Sequence, residues 1–100
     1  MQIHVNAPSD EVTGQVRQLL LFYLTGLEGQ VERIAIDVDR FRDRLDTPLH
    51  LCSVSAASCG REFRVDEIQG DLVLAITRAL DRTVRTLRRR PLIGPQALSA

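Results

Sequence analysis

The sequence contains no lysine, so all thirteen of its basic side chains are arginines. Any contact to a phosphate group must therefore come from a guanidinium, which stays charged at every working pH. Cysteine is scarce as well, because Cys52 and Cys59 are too few to build a disulfide framework. We interpret both as free, partly buried thiols.

Long apolar runs are also missing. The longest, from Leu19 to Leu24, is far too short to span a bilayer. Alternating residues open the sequence where a signal peptide would have a continuous apolar stretch. The length of 100 residues, with 44% hydrophobic and 26% charged side chains, is typical of one soluble domain. We therefore expect a cytoplasmic protein with no membrane partner.

Signatures of catalysis are absent too. Ser53 and Ser55 are not framed by a nucleophile-elbow motif, and no glycine-rich phosphate loop is present. The two histidines and two cysteines lack the paired close spacings of structural zinc sites. We expect no enzymatic activity, no cofactor and no bound metal.

What the sequence does have is a basic helix near its end. Between Asp71 and Arg90 the apolar side chains fall along one side, at ~100° per residue. Arg78, Arg82, Arg85 and Arg89, called here the arginine ridge, lie on the opposite side within a stripe roughly 60° wide. Arg88 and Arg90 widen its basic end.

The net charge of zero hides a polarised molecule. Residues 1–70 hold seven arginines and eleven acidic residues, a net of −4, whereas residues 71–90 hold six arginines and two aspartates, a net of +4. An outward helix face is normally charged, so the ridge alone is weak evidence. Its concentration of one sign favours an anionic partner such as nucleic acid.

The remaining patterns predict four strands and one further helix. Alternation predicts strands over residues 1–6, 33–41, 49–57 and 62–66, with a charged loop over residues 40–46 and a hairpin turn at residues 58–61. A helical stripe begins after Ser9 or Asp10 as its cap and ends near Gly29. Asp71 is the expected cap of the second helix, and Pro91 is expected to end it.

This order, β-α-β-β-β-α, predicts an α+β fold with both helices on one face of a four-stranded sheet. Residues 1–90 form the expected domain, and residues 91–100 are expected to be a C-terminal tail. On the first helix, Leu21 points away from the apolar stripe and Phe22 lies at its margin. Two large apolar side chains there suggest a contact surface, covered by the tail, by a partner or by nothing.

Three stretches resemble the ribosome hibernation-promoting factor / ribosome-associated inhibitor family, also called sigma-factor modulation proteins. Residues 1–5 resemble its opening strand and residues 16–28 its first helix, while residues 70–89 are similar to its second helix almost position by position. The resemblance implies a fold akin to double-stranded RNA-binding domains. It also implies binding to the small ribosomal subunit, in the channel for mRNA and tRNA, which silences translation in starved or stationary cells.

The resemblance also implies which residues bind RNA. Arg82, Arg85 and Arg89 match basic second-helix positions, Arg78 a variably basic one, and Arg17 a first-helix arginine. We add Arg88, and also Arg42 and Arg44 from the charged loop.

The sequence departs from the family at several basic positions. Tyr23, Gly26 and Gly29 stand where members have basic residues on the first helix, and Ile68 aligns with a frequent lysine. A second hypothesis therefore stays open: an interaction module with the same fold and little RNA affinity, which dimerises through Leu21 and Phe22.

Overall fold

We describe a computed structural model that covers the backbone of residues 1–99 and the side chains of residues 1–89. The elements follow the predicted order. They are β1 (Gln2–Asn6), α1 (Asp10–Tyr23), a short 3-10 helix (Glu28–Gln30), β2 (Arg33–Arg42), β3 (Pro48–Ser58), β4 (Arg61–Gln69) and α2 (Leu72–Ser99).

The four strands form one mixed sheet in the order β1-β2-β3-β4. Strand β1 pairs with β2 in parallel, since α1 carries the chain back across the sheet, and the two following hairpins are antiparallel. Because side chains alternate along a strand, one face of the sheet is apolar and the other mostly polar. The apolar face carries Ile34, Ile36, Cys52, Val54 and Val65, all of which are buried.

Both helices cover that apolar face, as predicted. Helix α2 packs on β3 and β4, and α1 packs on β1 and against α2. Their buried side chains join those of the strands in a single core cluster, to which α2 contributes Ile76, Leu80 and Leu87. Phe63 is only partly buried at the edge of this core, although the alternation of β4 places it on the same sheet face as the buried Val65. The opposite sheet face, called here the open face, is uncovered by either helix.

Capping explains where both helices begin. The Ser9 side chain accepts a hydrogen bond from the backbone N–H of Val12 at 3.3 Å, so Ser9 caps α1. Asp71 caps α2 as predicted, because its Oδ1 accepts from the N–H of Leu74 at 2.9 Å. These bonds satisfy N–H groups that have no partner inside the helix.

Two predicted helix ends are wrong. Helix α1 ends at Tyr23, not near Gly29, because the chain turns through Gly26, whose φ of +86° suits glycine far better than other residues. Helix α2 continues through Pro91 to Ser99. Proline removes one N–H and crowds the preceding turn, which disfavours a continuing helix without forbidding it. Side chains from Arg90 onward lie outside the described part, so the division between domain and tail stays a prediction.

The strands also extend beyond their predicted ends. Arg40, Phe41 and Arg42 belong to β2, not to a loop, and only Asp43–Thr47 connects the hairpin. Oδ1 of Asp43 accepts from the N–H groups of Leu45 and Thr47, both at 2.9 Å, and this organises the turn. Strand β4 reaches Gln69, whereas alternation predicted an end at Asp66. Cys59 and Gly60 form the β3–β4 turn with φ values of 54° and 75°, as the primed hairpin turns require.

Candidate nucleic-acid interface

The arginine ridge lies on the solvent side of α2. All four of its members, and Arg88 beside them, are exposed. The other side of the same helix is fully buried at Ala75, Ile76, Ala79 and Leu80. Thr83 is buried too, and its hydroxyl donates to the carbonyl of Ala79 at 2.8 Å, so this polar group in the core is satisfied. The ridge is therefore rigidly mounted, since the helix that carries it also completes the core.

Arg82 is held in place by strand β4. Its Nη1 donates to Oε2 of Glu67 at 2.7 Å and to the backbone carbonyl of Asp66 at 3.0 Å. The Glu67 side chain is only 14% exposed, and its hydrogen bond from Arg82 lowers the pKa of that carboxyl, with Gln69 adding to the effect. Both contacts use the same nitrogen, so Nε and Nη2 of Arg82 remain available to a ligand.

The other arginines of α2 differ in how far they are paired. Arg85 forms an ion pair with Asp81, one turn earlier on the helix. Arg78, Arg88 and Arg89 form no hydrogen bond or ion pair with any described side chain. Exposed pairs of the Arg85–Asp81 kind contribute little stability, so a phosphate can displace the carboxylate at low cost.

A groove runs between β4 and α2, with a volume of about 360 Å³. Four of its seven lining residues are arginines and none is acidic. The lining is Phe63, Arg64, Val65, Arg82, Arg85, Thr86 and Arg89. The groove extends the basic surface of α2 onto the edge strand of the sheet, which enlarges the area on which a phosphodiester backbone could lie.

Arg64 lines this groove but was not among the RNA-binding residues predicted from the sequence. Its Nε donates to Oδ1 of Asp66 at 2.9 Å and its Nη2 to Oγ of Ser53 at 3.3 Å. The bonds that the Asp66 carboxylate receives from Ser53 and Arg64 lower its pKa. Alternation of β4 marks Arg64 as outward-facing, but only the strand order identifies β4 as the edge beside α2.

The remaining predicted RNA-binding arginines lie elsewhere. Arg17 is exposed on α1, while Arg42 and Arg44 are exposed at the β2–β3 hairpin. That hairpin is at the end of the sheet where β4 finishes and α2 begins, whereas Arg89 lines the groove near Phe63, toward the start of β4. Arg42 is also bound to its own turn, since its Nη1 donates to the carbonyl of Asp46 at 2.8 Å. A role of the hairpin arginines in RNA binding stays a prediction.

Helix α1 adds little positive charge beside the ridge. Tyr23 is half-buried against the core, and Gly26 follows the end of the helix. Leu21 and Phe22 are 59% and 75% exposed, as their positions off the apolar stripe predicted. The ring of Phe22 packs edge-on against Tyr23, with ring centroids 5.6 Å apart. This surface of α1 is apolar, in line with the replacement of basic first-helix positions by Tyr23, Gly26 and Gly29.

Both cysteines are free thiols, but only Cys52 is buried, and the expectation that Cys59 is partly buried is wrong. Cys52 is buried in the core, and desolvation, with smaller contributions from nearby carboxylates, raises its pKa to about 12. Cys59 is exposed in the hairpin turn. Across the described residues, no three His, Cys, Asp or Glu side chains are grouped so that they could hold a metal ion. No helix in the same part of the chain is both long enough and apolar enough to cross a membrane.

Comparison with solved structures identifies proteins of the same architecture. The N-terminal domain of Protein Y from Thermus thermophilus superposes with a TM-score of 0.66 at 21% identity, over 89% of this chain and 98% of that domain. This chain shares the Protein Y fold. A ribosomal subunit interface protein from Coxiella burnetii gives a TM-score of 0.69 at 12% identity, over 92% of this chain and 99% of the other. No protein-family profile matches the sequence, and no curated protein gives a significant match.

Proposed function

We propose that this protein belongs to the ribosome hibernation-promoting factor / ribosome-associated inhibitor family and binds the small ribosomal subunit in the cytoplasm. In this proposal it contacts ribosomal RNA through the arginine ridge and the adjoining groove, and it holds translation back while bound. The observation that carries the proposal is the set of exposed arginines on one face of α2, continuous with the arginine-lined groove beside β4. The shared fold with a ribosomal subunit interface protein supports it.

The chemistry of the site suits an RNA backbone better than a small ligand. A guanidinium donates parallel hydrogen bonds to two phosphate oxygens and keeps its charge when partly desolvated. The ridge spans Arg78 to Arg89, about 16 Å along the helix at 1.5 Å per residue. That length matches several successive phosphates and exceeds what one phosphate group needs.

The contact with Glu67 prepares Arg82 for this role. Because Nη1 is fixed by Glu67 and by the Asp66 carbonyl, the Nε and Nη2 edge of the guanidinium has a defined direction. A side chain that is already ordered loses less conformational entropy when it binds. We therefore expect each phosphate contact of Arg82 to contribute more binding free energy than a contact of any other ridge residue.

A second candidate function rests on the apolar surface of α1. The exposure of Leu21 and Phe22 favours an interaction module that dimerises through this helix and has little RNA affinity. In that case the arginines of α2 serve solubility and surface ion pairing alone. The two functions predict opposite results in a ribosome-binding assay.

The test is co-sedimentation of the purified protein with small ribosomal subunits at low salt. Wild type should pellet with the subunits. Arg82→Glu/Arg85→Glu should abolish pelleting while circular dichroism stays unchanged, since both side chains are exposed. Inhibition of translation in a cell-free system should be lost with it.

A matched control distinguishes the loss of specific contacts on α2 from a change in the overall net charge. Arg33→Glu/Arg40→Glu makes the same change in net charge on β2, away from α2, and should still bind. Equal loss in both variants would mean that only overall charge matters. A wild-type protein that ignores ribosomes even at low salt would overturn the proposal in favour of the interaction module.

A further inference from the structure

The open face of the sheet carries an apolar patch that neither helix covers. The strand registers place Phe41 beside Leu49, and Leu51 beside Ile68, on adjacent strands. Phe41 is 40% and Ile68 52% exposed, and the two leucines are half-buried. We define the open-face patch as these four residues. Both helices pack on the other side of the sheet, so they cannot shield it.

Carboxylates border this patch on the side toward the middle of the sheet. Asp39 lies in the same register row as Leu51 and Ile68, and Asp37 and Asp66 lie in the next row. All three acids are exposed. The registers place no basic residue in either of these two rows. We define the acidic border as Asp37, Asp39 and Asp66.

Most of the charge of the acidic border is not neutralised within the chain. Asp39 has no hydrogen-bond or ion-pair partner among the described side chains. Oδ1 of Asp37 accepts a hydrogen bond at 3.0 Å, but from the neutral amide of Asn6. Only Asp66 is paired with a cation, the Arg64 guanidinium at 2.9 Å. Two carboxylates of the border therefore keep an uncompensated negative charge.

The electrostatic effect of the border is felt on the other face of the sheet. The pKa of the Cys52 thiol is raised to about 12, first by burial and then by the charges of Asp37 and Asp66. These two carboxylates thus create a negative potential that extends through the sheet. A positively charged group placed on the open face would be stabilised by the same potential.

The β2–β3 hairpin does not offset this charge. Strand alternation places Arg40 and Arg42 on the helix side of β2, and Arg42 pairs with Asp46 at 3.6 Å. The turn itself holds Arg44 together with Asp43 and Asp46, so it adds no excess of positive charge. The open-face patch is therefore apolar with a negative flank.

This combination restricts what could cover the patch. RNA and anionic lipid headgroups are repelled by the carboxylates. A second open face would bring the same carboxylates against their own copies, so self-pairing of two open faces is disfavoured as well. An apolar patch with a charged flank is typical of a contact with protein, and here the complementary charge is positive.

We propose that the open-face patch docks a basic amphipathic helix of another protein. The patch and the acidic border span three strands, about 10 Å at ~4.8 Å per strand, and successive rows on one face are ~7 Å apart. Two turns of a helix laid across the strands cover this area, since a helix is ~10 Å wide and rises 5.4 Å per turn. Its apolar side chains contact the patch, and its Lys or Arg side chains lie over Asp37 and Asp39.

This contact leaves the arginine ridge outward, because the ridge lies on the opposite side of the sheet. The inference therefore does not depend on the proposed RNA binding. The contact area is small, so we expect weak binding, with a Kd of about 1 μM or higher.

Fluorescence anisotropy with two labelled peptides tests the proposal. The first is a short amphipathic helix of leucine and lysine, and the second has the same leucines with glutamate in place of lysine. The lysine peptide should bind wild type and should bind less tightly as salt is added. The glutamate peptide should bind about tenfold more weakly or worse, because it meets the acidic border with like charge.

Removal of two charges locates the binding site of the lysine peptide. Asp37→Asn/Asp39→Asn should weaken its binding about threefold or more, since two charge pairs are lost. Glu11→Gln/Glu28→Gln removes the same net charge from exposed positions outside the sheet and should bind like wild type. All four side chains are exposed, so circular dichroism should show unchanged folding.

The apolar arm uses two matched variants. Ile68→Ser should weaken binding of the lysine peptide about threefold or more, because it removes a side chain from the patch. Leu21→Ser/Phe22→Ser removes the exposed apolar side chains of α1 and should leave binding unchanged.

Three outcomes would overturn the proposal. The first is a wild type that fails to bind the lysine peptide at millimolar concentration. The second is equal weakening by the Asp37→Asn/Asp39→Asn variant and its charge-matched control, which would mean that only overall charge matters. The third is binding that is lost in the α1 variant and kept in Ile68→Ser, which would assign the peptide site to Leu21 and Phe22.

Discussion

The two sides of the sheet differ in how their surfaces are assembled. On the helix side, one continuous segment supplies both core residues and the basic surface. Helix α2 carries Leu80 and Leu87 on its buried side and the arginine ridge on its exposed side. On the open face, the apolar patch and its acidic border come from three different strands. The first surface can be found from helical periodicity. The second surface can be recognised only once the strand registers are known.

The electrostatics of the two sides differ as well. Positive charge concentrates along α2, where Arg82 pairs with Glu67 and Arg85 with Asp81 among the described side chains. The open face has Arg33 paired with Glu62 and Arg64 with Asp66, while Asp37 and Asp39 add negative charge. A phosphate backbone therefore has one favourable side on this molecule.

The largest difference between the two sides should be in stability. Leu80→Ala removes a fully buried side chain beneath the ridge and should lower the free energy of unfolding by ~2–5 kcal/mol. Ile68→Ala, on the open face, removes a half-exposed side chain and should cost under about 1 kcal/mol. Urea denaturation of dilute protein measures both. Equal costs would mean that the open face is as well packed as the core.

The next largest effect should be on the pH dependence of stability, through the buried thiol of Cys52 in the sheet. The pKa of Cys52 is raised to about 12 by burial, from the 9.0 of an accessible thiol. Above pH 9 the unfolded chain releases this proton and the folded chain keeps it, so stability should fall as pH rises from 9 toward 12. The loss should be about 1 kcal/mol at pH 10. Chemical denaturation of wild type and Cys52→Ala at pH 8 and pH 10 measures it.

In Cys52→Ala this part of the pH dependence should disappear, although the variant is less stable at every pH. An unchanged slope between pH 8 and pH 10 would show that Cys52 is accessible to solvent. Cys59 is the internal comparison, because it is exposed and should react with a thiol reagent long before Cys52 does.

The smallest effect should come from the acidic residues of the open face. Asp37→Arg/Asp39→Arg should leave ribosome binding unchanged or strengthen it less than about threefold, because both side chains lie across the sheet from α2. Filter binding of dilute protein to small-subunit RNA measures this. A marked loss of binding would move the RNA-contacting surface to the open face.

Much of the fold was predictable from local patterns. The alternation of Ile34, Ile36 and Val38 identified a core strand, and Asp71 marked the start of α2. The exposure of the arginine ridge followed from the same periodicity that placed Leu80 in the core. These features depend on residues close together in sequence, which is why a pattern of a few residues was sufficient.

Features that join distant segments were not predictable. The hydrogen bond between Arg82 and Glu67 links residues 15 positions apart and depends on how α2 lies along β4. Arg64 enters the basic groove only because β4 is an edge strand. Helix α1 ends earlier than predicted because the residues that follow it form a turn through Gly26. Leu27 fits the helical stripe and is buried, although it lies outside the helix.

The most direct test of the central claim is the salt dependence of binding to small ribosomal subunits. If the arginine ridge makes about four phosphate contacts, log K should fall against log[salt] with a slope near −3, at ~0.7–0.9 per phosphate. Arg78→Gln should reduce the steepness by about one such contact. A slope near zero, or a slope that no change in the ridge alters, would contradict the account.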